Sequence, residues 1–162
     1  MLIKALTKQY QKCFNIFRDT ISNYDEKLWM NENDYKTPVW QIAYHAIFCA
    51  NMYCSAKESG IVKWSKEREN YHRFDKMREM RSMNAKNIMP YTKNEILDFM
   101  ELVNSNVPNY LLQMEPEAKC WPHWYDETQI EFHMNNLRHI QHHIGEIIER
   151  HDILKSFQYK WE

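Results

Sequence analysis

The run TQIEFHMNNLRHIQHHIGEIIERH, residues 128–151, decides how this chain folds. Its apolar side chains, Ile130, Met134, Leu137, Ile140, Ile144, Ile147 and Ile148, return every three or four positions, the period of one buried face of an α-helix. Thr128 and Glu131 make a T-x-x-E capping box ahead of that face, so a helix is expected to open there and run to about His151. The same run holds five of the eight histidines. A structural helix and a cluster of titratable, metal-ligating side chains therefore share one segment.

The rest of the chain repeats the helical period. Residues 2–24 place Leu2, Leu6, Tyr10, Cys13, Phe14, Phe17, Ile21 and Tyr24 on one face. After a polar turn over residues 31–36, Thr37 reads as an N-cap with Pro38 at the first helical position, where its missing N–H costs nothing. The second helix carries Trp40, Ile42, Ala43, Ala46, Ile47, Ala50 and Tyr53 and is expected to end before Gly60, the C′ residue. Residues 61–90 are charged, Met-rich and weakly periodic, which predicts a long crossover with a short helix around 73–82. Thr92 and Glu95 form a further capping box, opening a third helix with Ile96, Phe99, Met100, Val103, Tyr110 and Leu111 on its face, and Pro108 is expected to kink or interrupt it. A second connection, residues 115–126, contains the aromatic run Trp121, Pro122, His123, Trp124, Tyr125. Four amphipathic helices without a convincing strand predict an all-α fold, a four-helix bundle with long crossover connections, as a single domain over residues 1–162.

Composition closes off several function classes. Only two glycines, Gly60 and Gly145, are present, too few for a GxGxxG fingerprint or a P-loop. Lys plus Arg (21) nearly balances Asp plus Glu (22), so no global field draws nucleic acid or an anionic membrane. The basic stretch 76–81 has no interleaved stacking platform and reads as a solvated helix face. Cys13, Cys49, Cys54 and Cys120 form no CxxC pair and no dense disulfide framework, and no signal-peptide h-region precedes them, so a reduced, cytoplasmic protein is expected. No run of about 18 apolar residues occurs, and a membrane-spanning helix is not expected. The methionines Met77, Met80, Met83 and Met89 read as gap-fillers over the bundle.

Among the histidines, His139 and His143 stand four apart, the spacing at which two imidazoles on one helix can share an ion. With His139 at zero, the apolar stripe covers roughly 80° to 220° and His143 falls near 40°, so His143 borders the core and His139 stands further out. His142 lies about 100° from His143, toward the outside, and His133 points near the stripe's centre as a core histidine. A third ligand is needed for a zinc-type centre, and His45, among Ile42, Ala43, Ala46 and Ile47, is the best candidate. Without further support H-x-x-x-H also fits solvent-facing or hydrogen-bonded histidines, and His45 a satisfied core histidine. His72, His123 and His151 read as surface or loop residues.

The segments Pro38-Val39-Trp40-Gln41-Ile42-Ala43-Tyr44-His45 and Leu137-Arg138-His139-Ile140-Gln141-His142-His143-Ile144-Gly145-Glu146-Ile147 together resemble the two signature segments of the DinB-like (damage-inducible protein B) superfamily of metalloenzymes. The resemblance implies a four-helix bundle with crossovers, often dimeric, and a zinc or nickel ion between helices held by His45, His139 and His143. It also implies a small-molecule substrate: members of the superfamily include transferases of low-molecular-weight thiols and a thiol-dependent isomerase. The aromatic WPHWY segment departs from the signature. If His123 or Cys49 reached the ion, the open coordination position would be lost.

Three neutral imidazoles leave the ion's +2 charge uncompensated, which lowers the pKa of a bound thiol or water. The expected activity is thus a metal-dependent thiol S-transferase acting on an electrophile, with a metal-dependent hydrolase or a non-catalytic metal- or small-molecule-binding stress protein as alternatives. Glu146, about 20° from His139 in projection, or Glu131, serves as a general base only if it faces the pocket. Each ligand must lose its proton, so metal affinity is expected to fall between about pH 8 and about pH 5, as an unperturbed histidine titrates near ~6.5. A homodimer is expected, since four short helices cannot easily hide this many large apolar side chains.

Overall fold

The computed structural model describes residues 1–30, 37–83 and 88–155, with side chains described through His151. The polar turn expected over residues 31–36 lies outside the described residues. Among those described, six α-helices occur: α1 (Leu2–Asn23), α2 (Glu26–Trp29), α3 (Val39–Cys54), α4 (Phe74–Ser82), α5 (Lys93–Leu112) and α6 (Gln129–Lys155). No strand is formed among them, apart from one isolated antiparallel bridge between Lys119 and Thr128. The fold is all-α.

The four long helices form a closed ring of neighbours in which α1 and α3 each pack on both α5 and α6. Side-chain pairs set their directions. Arg18 meets Glu101 and Lys93 donates to the Tyr24 carbonyl, so α1 and α5 run antiparallel. Tyr10 meets His133 and Tyr24 packs on His151, so α1 and α6 run parallel. Tyr44 packs on Phe99 and Tyr110 donates to Asn51, so α3 and α5 run parallel. His45 packs on His139 and His143 while Tyr53 packs on Phe132, so α3 and α6 run antiparallel. The parallel step from α3 to α5 is what the segment between residues 55 and 92 makes possible, since the chain must return along the length of the helices before α5 can begin.

That segment is held by aromatic packing rather than by periodicity. Trp64 stacks on Phe99 with ring centroids 4.6 Å apart, Tyr91 packs on Tyr44 at 4.6 Å, and the Arg68 guanidinium sits 4.3 Å over the Tyr91 ring. Trp29 donates its indole N–H to the Tyr91 carbonyl, tying the end of α2 to the same cluster.

Helix ends follow local chemistry, with two corrections. The capping boxes at Thr92/Glu95 and Thr128/Glu131 are both formed, and α4 occupies the place expected for a short helix. Helix α5 continues through Pro108 to Leu112. Thr37 does not cap α3: Pro38 is the cap residue, its carbonyl taking Gln41 and Ile42 N–H, while the Thr37 carbonyl is engaged by Arg150 of α6. Nor does Gly60 end α3, which stops at Cys54 as Asn51 reaches the Val62 carbonyl and Ser55 the Lys57 carbonyl. Gly60 serves a close approach instead, because a Cβ there would stand 2.6 Å from Ser55 Oγ. Of the methionines, Met77 is buried and Met80 half-buried, but Met83 and Met89 are exposed and fill no gap.

Candidate metal centre

Helices α3 and α6 approach closely because α3 presents Ala43, Ala46 and Ala50, all fully buried, and Asn136 of α6 donates its side-chain amide to the Ala50 carbonyl at 3.2 Å. His45, five residues before Ala50 on the same helix, meets the paired histidines of α6. Ring centroids stand 5.2 Å apart for His45 and His139, 4.9 Å for His45 and His143, and 4.6 Å for His139 and His143. All three imidazoles thus face one another at the α3/α6 seam, and the outward projection of His139 is overcome by turning its ring inward.

The hydrogen bonds assign the ring nitrogens. His45 Nδ1 donates to the His72 carbonyl at 2.6 Å, so its Nε2 carries the lone pair. His143 Nδ1 donates to Glu146 Oε2 at 3.1 Å, so its Nε2 also carries the lone pair, and that atom lies 3.2 Å from His139 Nε2. Two nitrogens so placed need a proton or a cation between them. The separation is also what two nitrogens show when each stands about 2.0–2.1 Å from one ion at a near-tetrahedral angle. Among the described residues His139 Nδ1 is buried with no hydrogen-bond partner, so no outer group among them holds this ring's orientation as in the other two.

Burial keeps the His45 and His139 rings neutral. Burial lowers His45 to about 4, partly opposed by the bond to the His72 carbonyl. Burial, then the neighbouring His143, lowers His139 to about 3. Neutral imidazole is the form that binds a metal. Glu146 is held below the usual carboxylate range, first by its bond to His143 and then by the Arg150 charge, with Arg150 Nη2 2.7 Å from its second oxygen. Both carboxylate oxygens are therefore engaged, one orienting an imidazole and the other an arginine.

By ligand-atom spacing the groups fall into two sets that meet at the His139–His143 contact. His45, Cys49 and His139 place ligand atoms within 4.8 Å of one another, and so do His142, His143 and Glu146. The second set is the poorer one, since His142 is exposed and Glu146 is already paired with Arg150. Cys49, one turn after His45, has its Sγ 3.7 Å from His45 Nε2. Burial pushes its thiol up to about 12, and Tyr53 hydrogen-bonds to it.

The remaining histidines divide differently from expectation. His133 is buried, as its place on the stripe implies, and its Nδ1 pairs with the Tyr10 hydroxyl at 2.9 Å. His123 is exposed. His151, expected at the surface, is buried against the Tyr24 ring, because the apolar stripe of α6 continues to that point alongside α1. His72, likewise expected on a loop surface, is half-buried and stacks on Phe48 with centroids 3.9 Å apart. Glu131 is exposed and engaged in its capping box, away from the cluster. The aromatic segment touches the site indirectly: Tyr125 and Tyr53 share a hydroxyl contact at 3.1 Å, and the Tyr53 ring lies 5.7 Å from His139, while Trp124 remains 73% exposed.

Three participants escape a reading of the sequence. Arg150 stands four after Glu146, a spacing that suggests an ion pair, but nothing marks that pair as supporting a histidine. Tyr53 stands four after Cys49 on the same face, a signal that is readable once Cys49 is placed in the site. The His72 carbonyl leaves no signal, because a backbone acceptor does not depend on residue type. Comparison with family models, with curated proteins and with solved structures returned no match. Among the described residues no helix is long and apolar enough to cross a membrane.

Proposed function

We propose that this chain is a metal-dependent enzyme in which His45, His139 and His143 hold one divalent ion, Zn²⁺ or Ni²⁺, at the seam of a DinB-like four-helix bundle. The observation that carries the reading is the pair of Nε2 atoms 3.2 Å apart on α6 with the His45 ring packed against both. The bundle assignment is supported by the ring of contacts among α1, α3, α5 and α6 and by the parallel α3/α5 pair.

The favoured activity is transfer of a low-molecular-weight thiol to an electrophilic small molecule. When bound, the ion would supply Lewis acidity that holds a thiol as its thiolate. The protein's own residues do the positioning. The His72 carbonyl and the Glu146 carboxylate fix the tautomers of His45 and His143, and Arg150 fixes Glu146 while clamping the start of α3 through the Thr37 carbonyl. Glu146 is thus a positioning residue rather than the general base. A hydrolase would use the same centre. A non-catalytic metal-holding role has one observation in its favour, the Cys49 sulfur beside His45. A homodimer in the cytoplasm completes the proposal.

Metal analysis of the purified, untagged protein, followed by a screen of thiols against electrophiles, tests it. The expected result is near one Zn²⁺ or Ni²⁺ per chain with thiol-dependent consumption of an electrophile. Failure to take up either ion under any loading condition would overturn the metal centre, and a loaded protein that consumes no electrophile with any thiol would overturn the transferase.

A further inference from the structure

We infer that Cys49 is a fourth donor to the ion, which makes the centre a three-histidine, one-cysteine site. The inference rests on the three-histidine reading and adds to it. Cys49 follows His45 by one helical turn, so both side chains leave α3 on the same face. Its Sγ lies beside the His45 ring, 3.7 Å from Nε2, the nitrogen that the His72 carbonyl leaves with a free lone pair, and 3.9 Å from Nδ1. For a metal–sulfur bond of about 2.3 Å and a metal–nitrogen bond of about 2.0–2.1 Å, a near-tetrahedral angle separates the two donors by about 3.6 Å. The distance to Nε2 is close to that value, and His45, Cys49 and His139 bring ligand atoms within 4.8 Å of one another, with His143 joined to this set through its 3.2 Å contact with His139.

Burial and outer partners agree with this placement. Cys49 is 4% exposed, and its sulfur lies against the His45 ring. Tyr53 hydrogen-bonds to the sulfur and Tyr125 in turn to Tyr53, which gives Cys49 an outer partner like those of His45 and His143. The other cysteines have different surroundings: Cys13 receives the Gln141 amide, Cys54 the Asn136 amide, and Cys120 lies against the Pro122 and Tyr125 carbonyls.

A thiolate donor changes what the centre prefers. It lowers the net charge from +2 to +1 and selects zinc-like ions over Mg²⁺, Mn²⁺ or Ca²⁺. It also makes the ion a weaker activator of water, which favours a sulfur-bearing substrate over hydrolysis. Four protein donors would take up the open position of a tetrahedral ion, so a substrate would need a fifth one.

Titration of Co²⁺ into the metal-free wild-type protein and into Cys49→Ser separates the possibilities. The expected result is a near-ultraviolet thiolate-to-Co²⁺ charge-transfer band in the wild type, absent from the variant, with Zn²⁺ affinity reduced by more than about tenfold in the variant. X-ray absorption on the Zn²⁺-loaded wild type, expected to show one sulfur scatterer at about 2.3 Å, gives the same answer should the variant not fold. Binding of Co²⁺ without the band, a band that persists in Cys49→Ser, or a Zn²⁺ shell of nitrogen and oxygen alone would overturn the Cys49 assignment and leave the three histidines standing. A wild type that binds neither Co²⁺ nor Zn²⁺ would overturn both.

Discussion

Replacing His143 and His142, adjacent and chemically identical, tests the register of α6 and the site together. His143 is 6% exposed, donates to Glu146 at 3.1 Å and faces His139 Nε2 at 3.2 Å. His143→Ala removes a hydrogen bond to a charged group, of order 1.5–3 kcal/mol, although Glu146 keeps Arg150 at 2.7 Å and is not left unpaired. A loss of about 2 kcal/mol is expected for the metal-free protein, roughly 4–8 °C in Tm for a chain of 162 residues. His142 is exposed, and its removal should change stability by no more than about 0.5 kcal/mol. Zn²⁺ at about 100 times its Kd adds about 2.7 kcal/mol, roughly 5–11 °C, to any form that keeps the site. Thermal unfolding followed by circular dichroism, with chelator and then with Zn²⁺, reads all six states. The wild type and His142→Ala should show the full Zn²⁺ shift and His143→Ala little or none. A shift lost in His142→Ala, or kept whole in His143→Ala, would refute both the register and the assignment of the site.

Acid should destabilise the metal-free protein: burial lowers His133 to about 4 from an unfolded value near ~6.5, so the unfolded chain binds more protons in that window, and stability present above about pH 6.5 is lost toward pH 4. His133 alone contributes about 3 kcal/mol, and an unfolding midpoint in urea that does not fall between pH 7 and pH 4.5 would contradict this. Metal release should begin below the neutral range expected for unperturbed histidines, since His45 and His139 titrate at about 4 and about 3, so occupancy measured by metal analysis should hold from pH 8 to about 5.5. Glu146→Ala should weaken Zn²⁺ binding about 10–100-fold in calorimetric titration by freeing the His143 ring, and unchanged affinity would remove its positioning role. Light scattering should report a dimer, and a monomer at high concentration would remove that expectation without touching the site.

What could be read in advance was whatever a single helix decides. The three-to-four spacing of residues 130–148 placed α6, the two T-x-x-E boxes placed helix starts, and the i, i+4 relation placed His139 and His143 side by side, because each of these depends only on neighbours along the chain. What could not be read depends on a second element. The end of α3 turns on Asn51 finding Val62 and Ser55 finding Lys57, so Gly60 misleads as a terminator. His151 passed for a surface residue because nothing local shows that α1 runs parallel beside it.

The site divides along the same line. His45 could be nominated from its apolar neighbours, but the donor role proposed for it needs three things that no window of sequence contains. Ala43, Ala46 and Ala50 must let α6 approach, the crossover must bring the His72 carbonyl to Nδ1, and the His139 ring must turn against its helical projection. The second requirement is the least visible and the most consequential. A carbonyl that takes the Nδ1 proton leaves Nε2 with the free lone pair of His45, and Nε2 is the nearer of the two ring nitrogens to Cys49 Sγ, at 3.7 Å against 3.9 Å. A backbone atom in a charged, weakly periodic segment thus selects which nitrogen of the imidazole is left to bind, and so which neighbours could share an ion with it. Substitution at His72 should therefore leave the site intact where the carbonyl is kept in place, while displacement of the 61–73 crossover should disable it with every ligand still present.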